Sequence, residues 1–185
     1  MILFDPDLEP DAAPQQKKRM RSEGAQKSQT SERNDRLPTA RTLERFLREA
    51  QAQVRLRGAV TVLLTTDGGI RRLNREFRGK DKATDVLSFP ASEMAEDEAG
   101  DLAISVATAR RQAKACGHAL GVELKVLMLH GLLHLTGYDH ETDTGQMAKR
   151  ERALRARLRL PLGLIERVEG ETKKPAKKTA RGGRR

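Results

Sequence analysis

The chain contains no tryptophan, one tyrosine and four phenylalanines, so a recognition surface built on stacked aromatic rings has few side chains to draw on. Its single cysteine, Cys116, excludes an internal disulfide framework and fits a reducing compartment. No apolar run reaches the ~20 residues a membrane-spanning helix requires. The most apolar stretch, Val122 to Leu135, is interrupted by Glu123, Lys125 and two histidines. The opening, Met1-Ile-Leu-Phe-Asp-Pro-Asp-Leu-Glu9, has no basic leader and does not read as a signal peptide. A soluble, cytoplasmic protein without membrane contact is the expectation.

What is abundant is positive charge, and it is unevenly spread. Of the net +10, Thr172 to Arg185 carries seven basic residues and no acid, and Gln15 to Arg36 carries seven basic and three acidic residues. Residues 1–14 contribute four acids, which leaves Leu37 to Glu171 at +3. The basic segments are polar and poor in large apolar residues, the composition of disordered appendages. Such a tail is either simply solvated or a source of non-specific attraction to phosphate. The implied organisation is an N-terminal strand within 1–14, a basic disordered linker at 15–36, one folded domain at 37–168 and a basic disordered tail at 169–185. The 185 residues leave room for one domain with a real core.

Within the folded part, Leu43, Phe46, Leu47, Ala50 and Val54 recur at helical spacing behind Thr39, a suitable N-cap. Gly58 to Thr66 is β-branched and apolar, a buried strand. Asp67 opens a second helix with Ile70, Leu73 and Phe77 facing inward and Arg71, Arg75 and Arg78 on its other side. Asp85 to Pro90 and Gly100 to Ser105 read as strands separated by an acidic loop at Glu93 to Glu98, and Ser105 is placed to cap an Ala-rich helix to about Cys116. Val122 to Thr136 is apolar around nearly its whole circumference, as in a central buried helix. A last helix, about Thr142 to Leu160, turns Met147, Leu154 and Leu158 inward. The sum is an α+β fold, a small mixed sheet with helices packed on one face.

Three of the four histidines fall within His130-Gly-Leu-Leu-His134-Leu-Thr-Gly137-Tyr-Asp-His140. His130 and His134, four apart, share one helix face, and Gly137 can adopt the left-handed conformation that ends a helix and turns the chain back. His140 then reaches the side of an ion that the helix leaves open. Three imidazoles with a vacant fourth position describe a catalytic zinc site, although imidazole also suits nickel, copper and iron. The spacing is that of metzincin zinc peptidases, but Gly131 stands where those enzymes carry the Glu that acts as general base. The site reads as hydrolytic and not proteolytic. Cys116 and His118, with no further Cys or His nearby in sequence, read as a half-buried helix end and not as a second metal site.

Together with Asn74-Arg-Glu-Phe-Arg78-Gly-Lys-Asp-Lys82 and Thr84-Asp-Val-Leu-Ser-Phe-Pro90, the histidine motif resembles that of the bacterial endoribonuclease YbeY family, over roughly Pro38 to Val168. The resemblance implies a zincin-like metal hydrolase domain holding one Zn2+ on His130, His134 and His140, with Arg78 and His130 as catalytic residues. It implies a single-strand-specific endoribonuclease used in 16S rRNA 3′-end maturation and ribosome quality control. Its partners would be ribosomal RNA and the small ribosomal subunit, with a small-subunit ribosomal protein and an assembly GTPase left open. The basic linker and tail lie outside the family's pattern.

A divalent ion lowers the pKa of its water towards ~7 and polarises a phosphoryl oxygen, so cleavage does not need the missing Glu. Arg78 suits the charge that develops on phosphate because guanidinium matches its oxygens bidentately, although helical spacing alone describes a solvated arginine equally well. Arg71, Arg75, Lys80 and Lys82 are either an RNA-backbone track or ordinary solubilising charges. Asp139 and Glu141, beside His140, read first as capping or exposed acids and second as a base. A zinc peptidase and a non-catalytic ribosome-assembly factor with a structural metal remain as alternatives.

Overall fold

Polar caps and glycine stops set the element boundaries. The computed structural model of the chain describes residues 1–8, 34–92, 94–95, 97–140 and 142–161. Among these the order is β1 (Ile2–Phe4), α1 (Ala40–Val54), β2 (Ala59–Thr65), α2 (Asp67–Arg78), β3 (Val86–Pro90), β4 (Glu98–Ser105), α3 (Val106–Cys116), α4 (Leu120–Leu135) and α5 (Gln146–Leu158). Thr39, Thr66 and Ser105 each accept a hydrogen bond from the backbone N–H three residues on, at 3.4, 3.0 and 3.1 Å, satisfying a donor that the first helical turn leaves unpaired. The last helix starts at Gln146, later than its sequence suggests, because the Asp143 carboxylate takes the N–H groups of Gly145 and Met147 at 2.7 and 2.8 Å.

The strands form one mixed sheet in the order β1-β2-β4-β3. The β1–β2 and β2–β4 pairs are parallel, whereas β3 runs antiparallel to β4 and forms an edge. Side-chain alternation gives the sheet two covered faces. Val60, Val62, Leu64, Leu102 and Ile104 join the main core with the buried stripe of α1 and most of α4. Ala103 and Leu87 point the other way and meet Ile70 of α2. The helices are therefore not confined to one face: α2 crosses behind the sheet because the β2-to-β3 connection places it there. α4 buries residues on all sides, as its uninterrupted apolar circumference requires.

One expected core residue is outside. Phe77 is 61% exposed, because the end of α2 reaches only the edge strand, where its ring meets that of Phe89. The linker up to residue 33, the tail, Glu93, Glu96 and Glu141 lie outside the described residues, as do the expected bounds at 14, 168 and 169. Among the described residues no single helix is long and apolar enough to cross a membrane.

Candidate metal centre

The end of α4 is built as the glycine in the motif suggests. Gly137 has φ 89° and its N–H bonds the His134 carbonyl at 2.9 Å, while the Tyr138 N–H bonds the Leu133 carbonyl at 3.1 Å. This paired closure is the Schellman motif. It reverses the chain and carries His140 back towards the helix. The ligand-capable nitrogens of His130, His134 and His140 all lie within 4.8 Å of one another, with His130 buried, His134 half-buried and His140 exposed.

One pair of donors is spaced as a tetrahedral ion requires. His130 Nε2 and His134 Nε2 are 3.2 Å apart. Nitrogens ~2.0–2.1 Å from a tetrahedral centre are separated by about 3.3 Å. Burial, followed by the neighbouring His130 and His140, pushes the His134 pKa down to about 4, so its ring is neutral at ordinary pH, the form that ligates.

Two charged residues that the sequence reading missed complete the centre. His130 Nδ1 lies 3.2 Å from Glu151 Oε2, and the other oxygen of that carboxylate accepts from Arg155 Nε at 2.7 Å. Arg155 Nη1 donates in turn to the Pro161 carbonyl at 2.7 Å. Glu151, Arg155 and His130 are only 1, 2 and 4% exposed. A carboxylate on Nδ1 keeps the proton there and leaves the Nε2 lone pair aimed at the ion site.

Gly131 is a packing requirement. A Cβ there would stand 2.7 Å from Leu102 Cδ2 and 3.2 Å from Ser88 Oγ, so α4 rides close on β4 and β3. A larger residue at this position requires the Leu102 side chain to shift. Asp139 accepts from the Thr142 hydroxyl at 3.1 Å in the turn after the motif.

The expected nucleic-acid residues gather elsewhere, at the end of α2. Arg71, Arg75, Arg78, Lys80 and Lys82 are all exposed. Arg71 makes a two-point contact with Asp81, with both distances 2.8 Å, and this bond holds the Asp81 carboxyl below its usual range. Arg75 stands 3.8 Å from the same acid. Asn74, buried, donates to the Lys82 carbonyl at 2.8 Å and pins the loop that carries both lysines. The described contacts do not join Arg78 to the histidines. The two groups are linked through β3: Phe77 packs on Phe89, and the next side chain, Ser88, points to the opposite face, 3.3 Å from the Gly131 carbonyl. Cys116 is exposed, and His118 pairs with the buried Glu123 carboxylate, away from the three-histidine group.

A family model described as Endoribonuclease YbeY matches residues 22–159. An "Endoribonuclease YbeY" from Koribacter versatilis (strain Ellin345) is 52% identical over 140 residues, covering 76% of this chain and 88% of that one. Another of the same name, from Solibacter usitatus (strain Ellin6076), is 53% identical over 127 residues, covering 69% and 84%. A solution structure from Thermotoga maritima is 26% identical, with a TM-score of 0.48 over 78% of this chain and 96% of that one.

Proposed function

The chain belongs to the endoribonuclease YbeY family, and on that premise we propose that it is a zinc-dependent, single-strand-specific endoribonuclease. Its substrate in this reading is ribosomal RNA in the cytoplasm, cleaved in 16S 3′-end maturation and ribosome quality control on the small subunit. A small-subunit ribosomal protein and an assembly GTPase are the partners to test first. The observation that carries the reading is the three-histidine group, with donor atoms within 4.8 Å, on a helix that has Gly131 where a peptidase has its base.

His130, His134 and His140 would hold the ion, which when bound supplies Lewis-acid polarisation of a phosphoryl oxygen and an acidified water. The chain's own contribution is to hold His130 in one tautomer through Glu151 and Arg155, and to bring positive charge to the phosphate through Arg78. That charge matters where the transition state carries more of it than the substrate does. Arg78, exposed and without a hydrogen bond or ion pair among the described residues, is available for this.

The experiment is single-turnover cleavage of single-stranded and structured RNA by zinc-loaded protein, with Arg78→Ala and Arg78→Lys beside it. The expected result is cleavage of the single strand, lost in Arg78→Ala with metal content intact and poorly restored by lysine, which lacks the two-point fork. Unimpaired cleavage by Arg78→Ala would return that arginine to a solvated role. A zinc-loaded wild-type protein that cleaves neither RNA would overturn the assignment.

A further inference from the structure

With so few aromatic rings in the chain, the most exposed of its four phenylalanines is informative. Phe77 is 61% exposed near the end of α2, where helical periodicity turns the position towards the core. Its ring meets that of Phe89 at 5.1 Å between centroids and 66° between planes. An edge-to-face contact of this kind fixes a ring while using only one side of it. A single exposed apolar side chain is ordinary on a protein surface. This one, however, sits in a segment, Arg71 to Lys82, with six basic residues and two acidic ones. One of those acids, Asp81, is occupied by Arg71. The other exposed charges of the segment, on Arg78, Lys80 and Lys82, with Arg75 3.8 Å from Asp81, suit a polyanion.

The position also has a direction. Phe89 lies on β3, the edge of the sheet, and its neighbour Ser88 faces the helix that carries His130 and His134. A strand of RNA that crossed that edge would have Phe77 on one side and the histidine helix on the other. We infer that Phe77 is a base-stacking subsite for single-stranded RNA, held by Phe89 and flanked by Arg75, Arg78, Lys80 and Lys82. The inference rests on the RNA reading above and supplies a source of single-strand preference: a base face is free to stack only where the strand is unpaired.

The test uses the full chain and two fluorescent single-stranded oligonucleotides, one of adenylates and one abasic of equal length. Phe77→Ala and Phe77→Leu should weaken binding of the adenylate strand by about 5- to 150-fold, the range of one lost base stack. Binding of the abasic strand should not change, nor should the salt slope, because no phosphate contact is removed. Leu retains apolar contact with Phe89, so a loss shared by Ala and Leu is not a packing defect. Phe77→Trp should keep the affinity and, since the indole it introduces is the chain's sole source of tryptophan fluorescence, lose emission when an unlabelled adenylate strand binds. Unchanged affinity in Ala and Leu, an equal loss on the abasic strand, or unquenched indole emission from the bound Phe77→Trp variant each overturns the inference. Wild-type protein that binds neither strand overturns the RNA reading itself.

Discussion

Replacing Glu151 by Gln changes one atom and forces a choice that the buried carboxylate does not have to make. Its two oxygens serve His130 and Arg155 at once, at 3.2 and 2.7 Å. Glutamine has one oxygen. Turned to Arg155, it presents its NH2 to His130 Nδ1 and drives the ring proton onto Nε2, the atom needed for metal. Turned to His130, it sets NH2 against a guanidinium that is 2% exposed. Losing a partner that orients a ligating histidine lowers metal affinity by about 10- to 100-fold. Leaving a buried charge without its counter-charge costs about 3 kcal/mol or more. At about 2–4 °C per kcal/mol for a chain of this size, the metal-free variant should melt roughly 6–12 °C lower. Competition against a zinc-binding dye gives the first quantity and thermal melting the second. The double variant Glu151→Met with Arg155→Met separates the two roles, because an apolar pair of similar size restores stability without restoring the tautomer. Zinc affinity within twofold of wild type and an unshifted melt in Glu151→Gln would refute the reasoning.

Gly131→Ala should lose up to about 2 kcal/mol of stability, the overpacking against Leu102 exceeding the ~1 kcal/mol that alanine gains in a helix; an equal or higher melting temperature counts against the close approach of α4 to the sheet. In metal-free protein, His134 has a folded pKa of about 4 against an ordinary 6.5. The unfolded chain therefore binds more protons in that window, so its contribution is complete above about 6.5 and is lost as pH falls towards 4. Melting curves of wild type and His134→Asn should diverge there, and parallel curves would remove the effect. Deleting Thr172 to Arg185 removes seven positive charges and should flatten the log–log salt slope of RNA binding by about 2 for three lost phosphate contacts. An unchanged slope would leave the tail without a part in RNA binding.

Much of this was legible in the chain because it depends on local spacing. Leu43, Phe46, Leu47, Ala50 and Val54 are all buried on α1, and the caps at Thr39 and Ser105 bond as their residue types suggest. The histidine group follows from a four-residue step and one glycine turn. What resisted reading depends on partners distant in sequence. The face taken by α2 is decided by the route from β2 to an edge strand, which no periodicity in α2 records. Phe77 repeats seven residues after Ile70, but the sheet ends beneath it. Glu151 and Arg155 look like two more charges in an arginine-rich helix. The signal was present nonetheless: they occupy the stripe set by Met147 and Leu154, where a charge must be paired to be tolerated.

The three histidines are held very unequally, and for the ion site we propose the consequence is kinetic. His130 and His134 share one rigid, packed helix, so both are in place before an ion arrives. His140 hangs beyond a glycine turn and is exposed to solvent. Were an ion held there, His140 would be the ligand least restrained by packing, and release would be expected to begin with it. Stiffening the turn would slow exchange without changing the two ligands that remain, whereas disturbing the helix pair would weaken capture at equilibrium. Residence time and affinity of an ion at this centre would then depend on different stretches of chain, only a few residues apart.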